Sequence, residues 1–162
     1  LIIKEIEDHL ILMGKGNHKK NMEKVSEFTR FYEVVLSMDE FNYLVFLHNH
    51  EVAAFVDTGD RSLIHTAGNA LKKIDEGYGG ISCNWRPIEI ENKFKEMYRD
   101  KNIQLPQLLL IDANDAEKKS PNGRWYLQDG SHRALGYMIS LLRGNCEYTE
   151  QVVYIATNRE LE

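Results

Sequence analysis

Apolar residues change their spacing several times along the chain, and each change predicts an element. Ile2 to Met13 carries short apolar stretches that read as one or two strands, closed by the turn composition of Gly14-Lys15-Gly16-Asn17. From His18 to Leu36, Met22, Val25, Phe28, Phe31 and Tyr32 fall at helical spacing among charges, which predicts an amphipathic helix. Ser37-Met38-Asp39-Glu40 has the spacing of a capping box, so Asp39 to His48 is expected to be helical. Val52 to Val56 reads as a short buried strand and Asp57 to Asp60 as a turn. Ser62 to Glu76 follows as a helix, with Gly77 in the position of a C-terminal cap.

The punctuation is sharper after Tyr78-Gly79-Gly80, where adjacent glycines allow an abrupt change of direction. Ile90, Phe94, Met97 and Tyr98 recur at helical intervals, so Ile88 to Lys101 is an amphipathic helix that can start at or after Pro87. Leu105 to Ile111 is short enough for a strand, Asp112 to Gly123 is a polar loop, and Arg124 to Gln128 resumes as a strand. A helix then starts near Ser131, with Leu135, Met138, Ile139 and Leu142 as its buried stripe and Gly144 as its stop. Gln151 to Ala156 offers a last strand. The order is that of an α+β protein, with a helix-rich N-terminal lobe over residues 1–79 and a core over residues 80–162.

Composition narrows the function classes. The 162 residues, 43% hydrophobic, suffice for one substantial core with decoration. A formal net charge of -5 argues against a broad basic surface for duplex DNA, so nucleic acid is not the favoured partner. No apolar run approaches the ~18 residues of a membrane span, and Leu1-Ile2-Ile3-Lys4-Glu5 lacks the basic-then-apolar order of a secretion signal. Cys83 and Cys146 form no C-x-x-C pattern. A cytoplasmic protein without membrane contact is the expectation. The chain opens on Leu1 and not Met, so a leader or a further domain beyond this sequence stays open.

Asp129-Gly130-Ser131-His132-Arg133 falls where a strand is expected to turn into a helix. Such a turn points backbone N–H groups and the positive end of a helix dipole at one place, which suits an anion. Gly130 lets the backbone approach a ligand, and Ser131 can cap the helix or donate its hydroxyl. Arg133 opposes the dipole in the first turn, an unfavourable position that a phosphate between them would explain. His132 can donate to a phosphoryl oxygen or move a proton. Asp129 can position a hydroxyl, accept its proton or hold Mg2+. The plainer alternative is a capped, solvated helix start.

The segment Tyr126-Leu127-Gln128-Asp129-Gly130-Ser131-His132-Arg133-Ala134-Leu135-Gly136-Tyr137 resembles the signature of the ParB/sulfiredoxin superfamily: a strand, a D-G-x-H-R type turn, then an alanine-rich helix. The resemblance covers about Ile81 to Ala156, and only the turn is specific. It implies a ParB/sulfiredoxin-like mixed sheet with flanking helices, and a nucleotide whose phosphates face Gly130, Ser131, His132 and Arg133. Ser131 stands where sulfiredoxin has its reactive cysteine, so reduction of oxidised peroxiredoxins is not implied. The E-R-R turn and helix-turn-helix of ParB proteins are missing as well. The turn is most similar to the D-G-H-H-R of ParB-like free serine kinases, with Asp129 and His132 at the phosphoryl-transfer positions and Ser131 in place of the first histidine. Arg86, in Trp85-Arg86-Pro87, resembles the Arg-Pro step of sulfiredoxin and is a second phosphate-binding residue by that likeness.

Glu89 and Glu91 open the helix after Pro87 and are candidate catalytic bases beside a plain dipole role. The reading is therefore a kinase-like transferase that binds ATP or ADP, with CTP and NAD as other nucleotides, together with Mg2+. It transfers phosphoryl to a small-molecule or protein hydroxyl; ADP-ribosyl transfer and a ParB-like DNA-associated module or nuclease are the alternatives. His48, His50, Glu51, Asp57 and His65 hold metal-ligand types but sit near an expected helix end, where histidine suits the dipole. Lys15, His18, Lys19, Lys20 and Lys24 read as a solvated face, and Phe28, Phe31, Tyr32, Phe41, Tyr43 and Phe46 as core.

Overall fold

The computed structural model of the chain describes residues 3–5, 25, 27–46, 56–57, 59–76, 87–97, 103–105, 108–112 and 125–161. Their elements run β1 (Ile3–Glu5), β2 (Arg30–Leu36), α1 (Met38–Asn42), β3 (Val45–Phe46), α2 (Leu63–Asp75), α3 (Pro87–Met97), β4 (Leu109–Asp112), β5 (Trp125–Asp129), α4 (Ser131–Leu142) and β6 (Gln151–Thr157). The strands form one mixed sheet in the order β1-β2-β6-β4-β5-β3. β2 pairs antiparallel with β1 and β6, and β4 with β5; β4 runs parallel to β6, and β3 to β5. The α+β expectation therefore holds as a mixed sheet with flanking helices. Strands from residues 1–79 and from residues 80–162 share this one sheet, and β2 and β6 join the two segments along seven paired positions.

Period-two burial explains how the helices come to lie on one face. Tyr32, Val34, Leu110, Leu127, Val153 and Ile155 point into the larger core cluster with Ala67 and Ala70 of α2, Phe94 of α3, and Ala134, Tyr137 and Met138 of α4. Phe31, Val45, Leu109, Ile111, Tyr126 and Ala156 point the other way, into a second cluster with Val25 and Phe28. Both faces of the central strands are thus apolar, and burial of this kind is the main favourable term in folding.

Two elements differ from the sequence reading. Arg30–Leu36 is strand, not the end of a helix beginning at His18; residues 18–24 lie outside the described residues. Phe31 and Tyr32 serve opposite faces of the sheet, so their closeness to Phe28 imitated a helical stripe while the ladder with β6 decided the conformation. The helix expected over Asp39 to His48 stops at Asn42. Ser37 does cap it, accepting from Glu40 N at 3.3 Å. The chain then becomes β3, flanked by β5 on one side and by residues 61–63 on the other, where Phe46 N donates to Arg61 O at 3.1 Å and Leu63 N to Leu44 O at 2.7 Å. The helices with clearer signals keep their places. Ser62 caps α2 by accepting from His65 N, α3 spans Pro87–Met97, opening at Pro87 one residue before the expected Ile88, and Gly144 closes α4 with φ 74°. The expected strand Val52 to Val56 lies outside the described residues apart from Val56.

Helix α3 meets α4 at Gly136. A Cβ added there would lie 2.9 Å from Cβ of Phe94, too close for either backbone to ignore. Glu91, buried on α3, receives Arg143 of the α4 C-cap, and Arg143 also reaches Asp75 at 3.0 Å; Lys95 approaches Glu91 at 3.3 Å. Gly136→Ala is expected to destabilise the fold by about 1–2 kcal/mol, since overpacking costs ~1–3 kcal/mol and the better helix propensity of alanine returns less than ~1. Urea unfolding checks this, and an unchanged or raised midpoint would contradict the close approach.

Candidate phosphate-binding turn

Asp129 ends β5, and its orientation depends on an irregularity in the ladder. β4 pairs Leu110 with Leu127 but Leu109 with Asp129, so Gln128 is an extra residue on β5. A bulge of this kind bends the strand and re-aims the side chains after it. Gly130 follows with φ 91° and ψ 17°, left-handed values that suit glycine, and serves as the N-cap of α4. As a glycine, this N-cap residue brings no side-chain oxygen to the first turn. The first bond inside the helix is donated by Ala134 N to Gly130 O at 2.9 Å, so the amides of residues 131–133 belong to the positive helix end.

Around this end the side chains separate by depth. Asp129 and Ser131 are buried, Arg133 is intermediate and His132 is exposed. Asp129 Oδ2 meets Arg133 Nη2 at 3.8 Å across one helical turn, too far for a hydrogen bond. The same oxygen has no hydrogen-bond partner in the described structure. Neighbouring atoms crowd the His132 ring and lower its pKa below the ordinary value; the positive charges of Lys93 and Arg133 lower it further. The folded chain therefore binds that proton less tightly than an unfolded one. Its stability falls as pH drops through the ordinary histidine range, whereas an anion bound beside His132 favours the protonated ring.

The sequence expectations meet this geometry unevenly. Asp129, Gly130, Ser131, His132 and Arg133 are brought together as one turn. Glu89 is exposed in the first turn of α3, four residues before Lys93, which places the two on one helix face. Glu91 is committed to Arg143 and Lys95, at the C-terminal end of α4, about 18 Å along that helix from Ser131. That ion pairing supersedes its reading as a catalytic base. Arg86 lies outside the described residues, as do His48, His50, Glu51 and the basic residues 15–24. His65 instead contacts Asp57 at 3.5 Å and Asp60 at 3.8 Å. Among the described residues no three His, Cys, Asp or Glu side chains converge on a metal position. The described helices include none long and apolar enough to cross a membrane.

Lys93, whose positive charge helps to lower the His132 pKa, is a residue that the sequence reading did not single out. No family model, curated protein or solved structure matches this chain.

Proposed function

We propose that the Asp129–Arg133 turn binds the phosphates of ATP or ADP, and that the protein transfers a phosphoryl group to the hydroxyl of a small molecule or protein. The observation that carries this reading is the left-handed Gly130 at the N-cap of α4, with His132 and Arg133 in the first turn. A helix start that bears cations opposes its own dipole, and an anion seated there removes the conflict. The strand, glycine turn and helix follow in the order that the ParB/sulfiredoxin resemblance implies, which supports a fold of that type.

In this reading Arg133 and the helix amides hold phosphoryl oxygens and offset the charge that develops on them during transfer. The acceptor oxygen attacks phosphorus, the bond to the leaving phosphate breaks, and Asp129 takes the hydroxyl proton through Oδ2. His132, whose crowding and cationic neighbours favour the neutral ring without ligand, takes up a proton as the phosphates bind and donates a hydrogen bond to a phosphoryl oxygen. Glu89 takes no part in this step: Phe94 of α3 meets Gly136 and Glu91 meets Arg143, so the start of α3 lies toward the far end of α4. Mg2+ bound with the nucleotide would supply further charge neutralisation on the phosphate side.

Calorimetry with ATP, ADP, CTP and NAD, with and without Mg2+, tests the reading. ATP or ADP is expected to bind, Arg133→Ala to weaken binding by about tenfold or more, and proton uptake on His132 to accompany binding. Absence of binding by all four nucleotides would sink it.

A further inference from the structure

We propose that Asp129 is a specificity-determining residue of this turn and restricts it to oxyanions that bring a proton of their own, a phosphate and not a sulfate; this rests on the phosphate-binding reading above. The Asp129 side chain, 8% exposed, stands at the end of β5 immediately before Gly130. Arg133 reaches it from the first turn of α4, with Nη2 3.8 Å from Oδ2. That gap is too long for a hydrogen bond, and Oδ2 has no hydrogen-bond partner in the described structure. Buried polar atoms in folded proteins are nearly always partnered, so this oxygen calls for a donor that the described chain does not supply.

The two halves of the turn ask for opposite things. The positive end of α4, with the amides of residues 131–133, and the Arg133 guanidinium attract an anion. A carboxylate accepts hydrogen bonds and donates none, so Oδ2 is completed only by a donor. One ligand group meets both demands when it is an anion that keeps an O–H. Inorganic phosphate carries at least one P–OH at neutral pH, and sulfate carries none. A phosphate at the start of α4 turns its ionised oxygens to Arg133 and the amides and its O–H to Asp129. A sulfate of the same shape sets a bare oxygen against the carboxylate, two negative groups with no proton between them, and is rejected by that contact. In the transfer reaction the acceptor hydroxyl takes the place of this O–H on the same oxygen, so one carboxylate serves both selection and proton removal.

Titration of the full chain with inorganic phosphate, arsenate and sulfate at neutral pH, followed by calorimetry and by the NMR shifts of the amides of residues 131–133, tests the proposal. Wild type is expected to bind phosphate at least about tenfold more tightly than sulfate, and arsenate, which also keeps an O–H, like phosphate. Asp129→Asn and Asp129→Ser, whose side chains can donate to a bare oxygen, should bring sulfate to within about threefold of phosphate. Arg133→Ala should weaken both anions by a similar factor. Equal binding of phosphate and sulfate by wild type, a preference that survives both Asp129 variants, or a loss in Arg133→Ala confined to phosphate overturns the specificity role while the anion site stands. Binding of ATP or ADP without any binding of inorganic phosphate at millimolar concentrations overturns it as well. Should wild type bind none of the three anions and none of the nucleotides, both readings fall.

Discussion

Arg159→Ala is expected to lower the unfolding free energy by about 3–5 kcal/mol, because it strips the counter-charge from a fully buried carboxylate. That carboxylate is Asp112 at the end of β4, 0% exposed, whose Oδ2 accepts from Thr157 Oγ1 at 2.8 Å and from Arg159 Nε. The guanidinium also lies over the Trp125 ring, 5.5 Å from its centre. The reverse change should cost less. Asp112→Ala leaves an arginine whose side chain is 37% exposed and can turn to water, so a loss of about 1–3 kcal/mol is expected, the ordinary penalty of a lost charged hydrogen bond. Urea unfolding followed by tryptophan fluorescence measures both variants. Equal costs, or a cost below ~1 kcal/mol for Arg159→Ala, would mean that the pair does not hold the end of the sheet.

Asp129→Asn should leave nucleotide affinity within about threefold and cut turnover by roughly 10²–10⁴, the usual contribution of a positioned general base. The amide keeps the shape of the buried side chain but cannot take up the acceptor's proton. Coupled measurement of ADP or AMP release with candidate hydroxyl acceptors, beside calorimetry of the same variant, separates the two effects. Unchanged turnover would remove Asp129 from the chemistry. Loss of binding together with turnover would assign it to the architecture of the turn, where its 3.8 Å approach to Arg133 sets the start of α4.

The parts of the fold that were legible in the sequence are those held by local interactions. Ser62 and Ser37 announce helix starts because a side-chain oxygen and a backbone N–H three residues on satisfy each other within one turn. Gly144 announces the end of α4 because a left-handed residue is needed there. Gly130 marks the candidate site for the same reason. The misread segments depend on remote partners. Arg30–Leu36 carries apolar residues on both strand faces, so its alternation is hidden until β6 pairs with it, and Val45–Phe46 becomes strand because β5 and residues 61–63 bracket it. Propensity yields to such pairing wherever an extended ladder satisfies more backbone groups than a short helix end.

The same division runs through the candidate site. By itself the sequence determined that a strand turns into a helix at Gly130, that Asp129 to Arg133 form one constellation, and that α3 and α4 each have an apolar stripe. Tertiary structure alone decided that a bulge at Gln128 aims Asp129 and that Glu91 is committed to Arg143. It also decided that strands from both halves of the chain share one sheet. The physical reason is range. Caps, turns and helix periodicity act over about four residues and are written in adjacent letters, whereas register, helix docking and buried ion pairs join residues far apart in the chain, and only the packed core brings them within reach.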